Sequence, residues 1–293
     1  MYGPGSRAEF VPDPASPPGA LTVSPADRTK ALRAAELAVE ECARRSRLPL
    51  CGGRLTVGGD IPVGLGMGSS SSDVLAALRA VADAFGVQLG AGTLAGLAVL
   101  AEGASDPLML DGRPVLFAQR EGRVLEVFGD ALPPVVVVGC TLGGGRPVDT
   151  LALAGAGVDA GGAGLDACAR LRELLRRAVR EADPVLLGRV ATGSARLGQR
   201  RLAHPEFPAL VEVAERVGAT GVQVAHSGNV AGLLLDPSGG GLRRRVRECA
   251  RALESLGLPA TRVFTTYRPA PRPTPASPSH PSSRNGAFPW MRT

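Results

Sequence analysis

The chain has 293 residues, 44% of them hydrophobic and only 3% aromatic, so the expected core is leucine, valine and alanine in one large domain or two modest ones. Net charge is +6, nearly all of it from arginine, with Lys30 the only lysine; such an excess favours anions, nucleotides or nucleic acid among them. No apolar run approaches the roughly 18 residues of a membrane-spanning helix, and "MYGPGSRAEFVPDPASPPG" lacks the charged start and apolar stretch of a signal peptide, so a cytoplasmic protein is the default expectation.

In chain order, residues 1–25 are rich in proline, glycine and alanine and are expected to be poorly ordered. A helix follows at about 26–45, with Asp27 as its cap. "GGRLTVGGD" alternates and reads as a strand ending near Gly58. After a glycine–serine loop come helices at about 70–85 and 91–102. "RPVLFA" and "RVLEVF" form a hairpin around Glu121–Gly122, and "PPVVVVGCT" suits a strand buried on both faces. Helices are expected at about 163–181, 184–199 and 206–217. Two strands then surround the Gly228–Asn229 turn, "GGLRRRVRECARALESLG" is a helix, and "ATRVFTTYR" closes the fold. The Pro/Ser-rich tail, 269–293, has no periodicity and is expected to be disordered. This order predicts an α+β protein in two lobes, 26–132 and 133–268, with segregated sheets and helices on one side of each.

Cys42, Cys51, Cys140, Cys168 and Cys249 are widely spaced with no CxxC pair, so each is expected as a small buried apolar residue and not as part of a zinc or disulfide framework. Two arginine clusters, Arg170–Arg180 and Arg243–Arg251, alternate with leucine and valine. Solvated helix faces are the better reading, because nothing aromatic is interleaved to stack on bases, and nucleic acid is disfavoured as a partner. His226, between two strands, reads as a hydrogen-bonded structural histidine before a catalytic base; shaping a substrate pocket is its functional alternative. His204 and His280 carry no signal.

The stretch "PVGLGMGSSSSD" carries the chemistry. A helix N-terminus leaves backbone N–H groups unpaired and bears partial positive charge, which makes it an anion site. Gly64, Gly66 and Gly68 remove Cβ atoms that would hold a phosphate off the backbone. Ser69, Ser70, Ser71 and Ser72 offer hydroxyls to phosphate oxygens or Mg²⁺. Asp73, in the first turn, suits the dipole but would repel a phosphate unless it points away. No lysine completes a Walker A loop, and the glycine spacing is not GxGxxG. With Pro62 fixing the entry and an apolar helix following, a phosphate cradle is preferred to a flexible turn with serine caps.

Pro62, Gly64, Gly66, Gly68, Ser69 and Ser70 resemble the central phosphate loop of the GHMP kinases, the family of galactokinase, homoserine kinase and mevalonate kinase, with Met67 in place of the usual leucine. "LAEGASDPLML" resembles the acidic segment of the threonine-kinase branch, and "GATGVQVAHSGNVAGLLL" resembles its glycine-rich third motif through His226, Ser227 and Gly228. "RPVDTLAL", with Thr150, resembles a loop near the substrate, and "GPGSRAEFV" resembles the opening motif, after which the first-lobe strands are expected to be shortened or missing.

The resemblance implies an N-terminal lobe like ribosomal protein S5, a ferredoxin-like C-terminal lobe, and an ATP-dependent kinase for an alcohol. L-threonine or a related hydroxy amino acid leads, the product feeding the aminopropanol arm of cobalamin. It further implies ATP held by Pro62, Gly64, Gly66, Gly68 and Ser69–Ser71, Mg²⁺ by Ser70 and Glu102, Asp106 as the acid that takes the substrate proton, and His226, Ser227 and Thr150 at the substrate. Without the resemblance, Asp106 reads as a turn aspartate before Pro107. The alternatives are homoserine or an isoprenoid alcohol as acceptor, or an impaired nucleotide-binding relative, and a homodimer is left open.

Overall fold

Strict alternation along "GGRLTVGG" builds the first sheet, in a computed structural model that describes residues 5–13, 15–61, 66–110, 112–145, 162–226, 228–258 and 260–267. Strand β3 (Gly52–Gly59) is central, with β1 (Ser6–Asp13) antiparallel on one edge and β2 (Leu21–Ser24) parallel on the other. A parallel neighbour needs a crossover, and α1 (Thr29–Ser46) supplies it. Leu55 and Val57 of β3 and Phe10 of β1 face the alanine-rich stripe of α1 and the apolar stripe of α2 (Ser69–Ala84), and α3 (Ala91–Glu102) packs on both helices. The hairpin of β4 (Val115–Ala118) and β5 (Arg123–Val127) completes this lobe.

The expectation of a poorly ordered N-terminus is corrected for residues 6–13 and 21–24, which are strands. The polar groups of a central strand need partners along both edges; β1 covers one of them from Ser6 opposite Gly59 to Asp13 opposite Gly52. Asp27 is not the cap of α1: Arg28 holds that position and no side chain caps the helix.

The second lobe holds β6 (Val136–Thr141), α4 (Gly162–Arg180), α5 (Pro184–Gly198), α6 (Phe207–Arg216), β7 (Gly221–Val224), β8 (Val230–Leu235), α7 (Leu242–Ser255) and β9 (Ala260–Thr265). Its sheet is antiparallel throughout in the order β7-β8-β6-β9, the strand order of a ferredoxin-like lobe. Val136, Val138 and Cys140 share one core with Leu210, Leu233 and Leu253, whereas Val135 and Leu234 turn the other way onto Leu186 and Leu187. Helices therefore cover both faces of this sheet, which corrects the one-sided expectation and explains the unbroken apolar run of β6.

Cys42, Cys140 and Cys249 are buried as expected; Cys51 is half-buried and Cys168 is exposed on α4. Several of the clustered arginines are paired. Arg172 and Arg176 of α4 grip Glu126 of β5, joining the hairpin to the second lobe and holding that carboxyl below the usual range, Arg176 contributing most.

Candidate functional site

Three segments converge at the start of α2. Gly68 precedes the helix with φ +73°, a left-handed conformation that side chains rarely adopt. Ser69, Ser70 and Ser71 form the first turn, with Ser69 and Ser71 buried. Ser70 Oγ donates to Glu102 Oε2 at 2.9 Å and Ser71 Oγ to Glu102 Oε1 at 2.8 Å. Glu102 is the last residue of α3, and left-handed Gly103 turns the chain immediately after it. That turn brings the Asp106 backbone N–H onto Ser71 Oγ at 3.1 Å, while Ser105 N–H donates to the Gln119 carbonyl at 3.0 Å and fixes the turn from the hairpin side.

The Asp106 carboxylate lies beside Gly68, where a Cβ would stand 2.9 Å from Oδ2. Asp106 is exposed along one edge, yet protein crowds its carboxyl closely enough that burial pushes its pKa up. A carboxylate that holds its proton more tightly is a better base.

The third segment arrives at Gly66. A Cβ there would meet the Gly228 Cα at 2.7 Å and N at 2.9 Å, so the phosphate loop and the turn after β7 touch backbone to backbone. Asn229 carries the contact onward: its carbonyl accepts from Leu142 N–H, and its side chain lies against Gly143.

Asp73 points away from the loop. Its Oδ1 accepts from Ser6 Oγ at 2.5 Å and its Oδ2 lies 3.4 Å from Arg28 Nε. The expected repulsion between Asp73 and an anion at the loop is thereby lessened.

Of the residues expected at the site, Gly66, Gly68, Ser69, Ser70, Ser71, Glu102 and Asp106 come together. His226 turns its imidazole to α5, with Nε2 3.0 Å from Ser194 Oγ. Pro62, Gly64, Thr150 and Ser227 lie outside the described residues.

The sequence reading passed over Ser6, Arg28 and Glu206. Glu206 Oε1 accepts the Gly143 N–H at 2.9 Å, while its Oε2 and the Nε2 of buried His204 are enclosed without partners. Burial lowers the His204 pKa, so that ring is neutral at pH 7. The only signal for these residues was polar identity, which does not say what it faces.

Residues 30–110, the span from α1 through the Asp106 turn, match the family model described as the GHMP kinases N terminal domain. An L-threonine kinase of Citrobacter freundii is 32% identical over 190 residues, 62% of this chain and 62% of that protein. Over this span the chain is similar to the GHMP kinases. A second L-threonine kinase, from Salmonella typhimurium, is 29% identical over 186 residues, 62% of this chain and 60% of its own, so each match spans less than two thirds of the relative's length. Both of these relatives are L-threonine kinases.

Solved structures share the fold. Homoserine kinase from Cytophaga hutchinsonii superposes with TM-score 0.66 at 15% identity, covering 91% of this chain and 87% of that one. Streptococcus pneumoniae phosphomevalonate kinase, solved with phosphomevalonate and AMPPNP, gives 0.68 at 13% identity, covering 89% and 90%.

Proposed function

We propose that the chain is an ATP-dependent phosphotransferase whose acceptor is the hydroxyl of a small molecule, L-threonine first and homoserine second. One observation carries the reading: Asp106 stands against Gly68 at the mouth of a glycine–serine helix start, so a base and a phosphate cradle share one site. The two L-threonine kinases support the choice of acceptor. The product would then be a phosphate ester of the kind that feeds the aminopropanol arm of cobalamin.

Phosphoryl transfer asks a protein for positioning and charge stabilisation more than covalent chemistry. The backbone N–H groups of the first turn of α2 bind the phosphate oxygens, and Gly66 and Gly68 let the backbone approach them. Asp106 orients the acceptor hydroxyl and takes its proton as the oxygen attacks the γ-phosphorus, the bond from that phosphorus to the β,γ-bridging oxygen breaks and ADP leaves. Ser71 holds the Asp106 backbone by its N–H, and Glu102 fixes Ser71 in turn. Ser70 and Glu102 are hard oxygen donors and would hold Mg²⁺. When bound, Mg²⁺ supplies neutralisation of phosphate charge.

The test is turnover of purified protein with Mg·ATP and a panel of L-threonine, L-serine, homoserine and mevalonate. ADP release with threonine above the others supports the proposal; equal background hydrolysis with every acceptor refutes it.

A further inference from the structure

Both ends of the connection between β3 and α2 are fastened to the same two residues at the head of β1. On the β3 side, Gly5 N–H donates to Asp60 Oδ1 at 2.7 Å, and Asp60 N–H returns a bond to the Gly5 carbonyl at 3.4 Å. On the α2 side, Ser6 N–H donates to Ser72 Oγ at 3.0 Å and Ser6 Oγ donates to Asp73 Oδ1 at 2.5 Å. The fit requires Gly59 opposite Ser6: a Cβ on Gly59 would lie 3.0 Å from Ser6 Oγ and 3.1 Å from the Gly5 carbonyl oxygen.

We propose that Gly5–Ser6 is a clasp that sets the phosphate loop, with Ser6 and Asp73 as positioning residues for the nucleotide. The inference rests on the nucleotide-binding reading given above. Asp73 is only 9% exposed, so its charge needs partners. It has two, and both come from outside its own helix: Ser6 Oγ, and Arg28 at the head of α1. One carboxylate thus joins β1, α1 and α2 at the point where the helix must aim its N–H groups.

A binding shell has to be held to within about half an ångström to be productive. Glu102 and Gly228 position the loop from the α3 side and from the second lobe. The clasp sets its third side and the spacing between its two ends. Ser6 bonds Ser72 and Asp73, whereas Asp106 is held through Ser71 and Glu102, so loosening the clasp changes how the nucleotide is held more than how the acceptor is held.

The experiment compares wild type, Ser6→Ala, Ser6→Thr and Asp73→Asn by steady-state kinetics, melting temperature and hydrogen exchange over residues 59–60 and 66–73. Ser6→Ala is expected to raise KM for ATP about tenfold while the acceptor KM stays within about twofold, the scale of one charge-assisted hydrogen bond. Ser6→Thr keeps the hydroxyl and restores the ATP value. Asp73→Asn follows Ser6→Ala. Amide exchange of both flanks rises in Ser6→Ala and Asp73→Asn without nucleotide present.

An ATP KM within about twofold of wild type in Ser6→Ala, together with unchanged exchange, overturns the clasp. Loss of both KM values in parallel with the melting temperature, in the Thr variant as well as the Ala one, overturns it too, since that is a purely structural role. If wild type itself neither binds Mg·ATP nor turns over, the kinase reading fails, and the exchange comparison still decides the clasp.

Discussion

Asp106 and Gly68 occupy adjoining positions such that a single methyl group on Gly68 would come within 2.9 Å of Asp106 Oδ2. The proposed base and the proposed cradle are therefore set by one packing relationship, and each constrains the other.

Substituting the glycines tests that relationship. Gly68→Ala must adopt φ +73° and displace the Asp106 carboxylate, and Gly66→Ala must displace the Gly228 backbone. Left-handed alanine costs on the order of 1 kcal/mol before any clash is counted. Both variants are expected to melt lower. Gly66→Ala, which meets backbone, loses more nucleotide affinity; Gly68→Ala, which meets the base, loses more kcat. Titrations with Mg·ATP beside kcat measurements separate the two.

Asp106→Asn is expected to lower kcat by about 10²–10⁴, the usual contribution of a positioned general base. The pH dependence has a definite sign. With Asp106 as the proposed base the active form is the carboxylate, and burial raises the pKa at which it forms. The acid limb of kcat/KM therefore lies above the usual aspartate range, with activity rising as pH rises through it. Asp106→Asn abolishes that limb.

The same shift governs stability. A carboxyl whose folded pKa is raised above its unfolded value contributes stability that is fully present below the unfolded pKa and is lost as pH rises through the folded one. At neutral pH the folded chain carries the penalised charge. Asp106→Asn removes it, so the inactive variant is expected to melt higher than wild type at pH 7 and to lose that advantage near pH 3.

Glu102 tests the cation. Glu102→Gln keeps the shape and one acceptor oxygen, its amide N–H₂ donating to the other serine hydroxyl in place of accepting from it, and it removes the negative charge that favours a divalent ion. The expected result is a higher Mg²⁺ concentration for half-maximal rate with little change in melting temperature. An unchanged Mg²⁺ requirement would take Glu102 out of the cation site.

Much of the fold was legible because its signals are local. The strand at Gly52–Gly59 alternates cleanly, and β6 is an unbroken apolar run between turn signals. Helices α3 and α5 came out within a residue of their expected bounds. What local signals missed depends on pairing at a distance. β1 and β2 lie in a proline-rich stretch with little pattern of their own, and the edges of β3 recruit them. Asp27, the expected cap, is exposed, and its neighbour Arg28 holds the cap position and reaches Asp73.

The site divides the same way. Gly66, Gly68, Ser70 and Ser71 could be singled out because glycines and hydroxyls at a helix start open its N–H groups to an anion, a reading preferred to serine caps on a flexible turn. Glu102 and Asp106 needed the family resemblance, since a helix-terminal acid and an acid before proline are ordinary on their own. Ser6 could not be found, because nothing in "GPGSRAEF" says that its hydroxyl meets a carboxylate 67 positions away.

The central claim is that this site transfers a phosphoryl group to an alcohol through Asp106, and ³¹P NMR of a reaction with Mg·ATP and L-threonine tests it most directly. A new phosphate-ester resonance growing in step with ADP, and lost in Asp106→Asn, is the predicted result. No ester with any hydroxy amino acid, or an ester formed equally fast by Asp106→Asn, would contradict it.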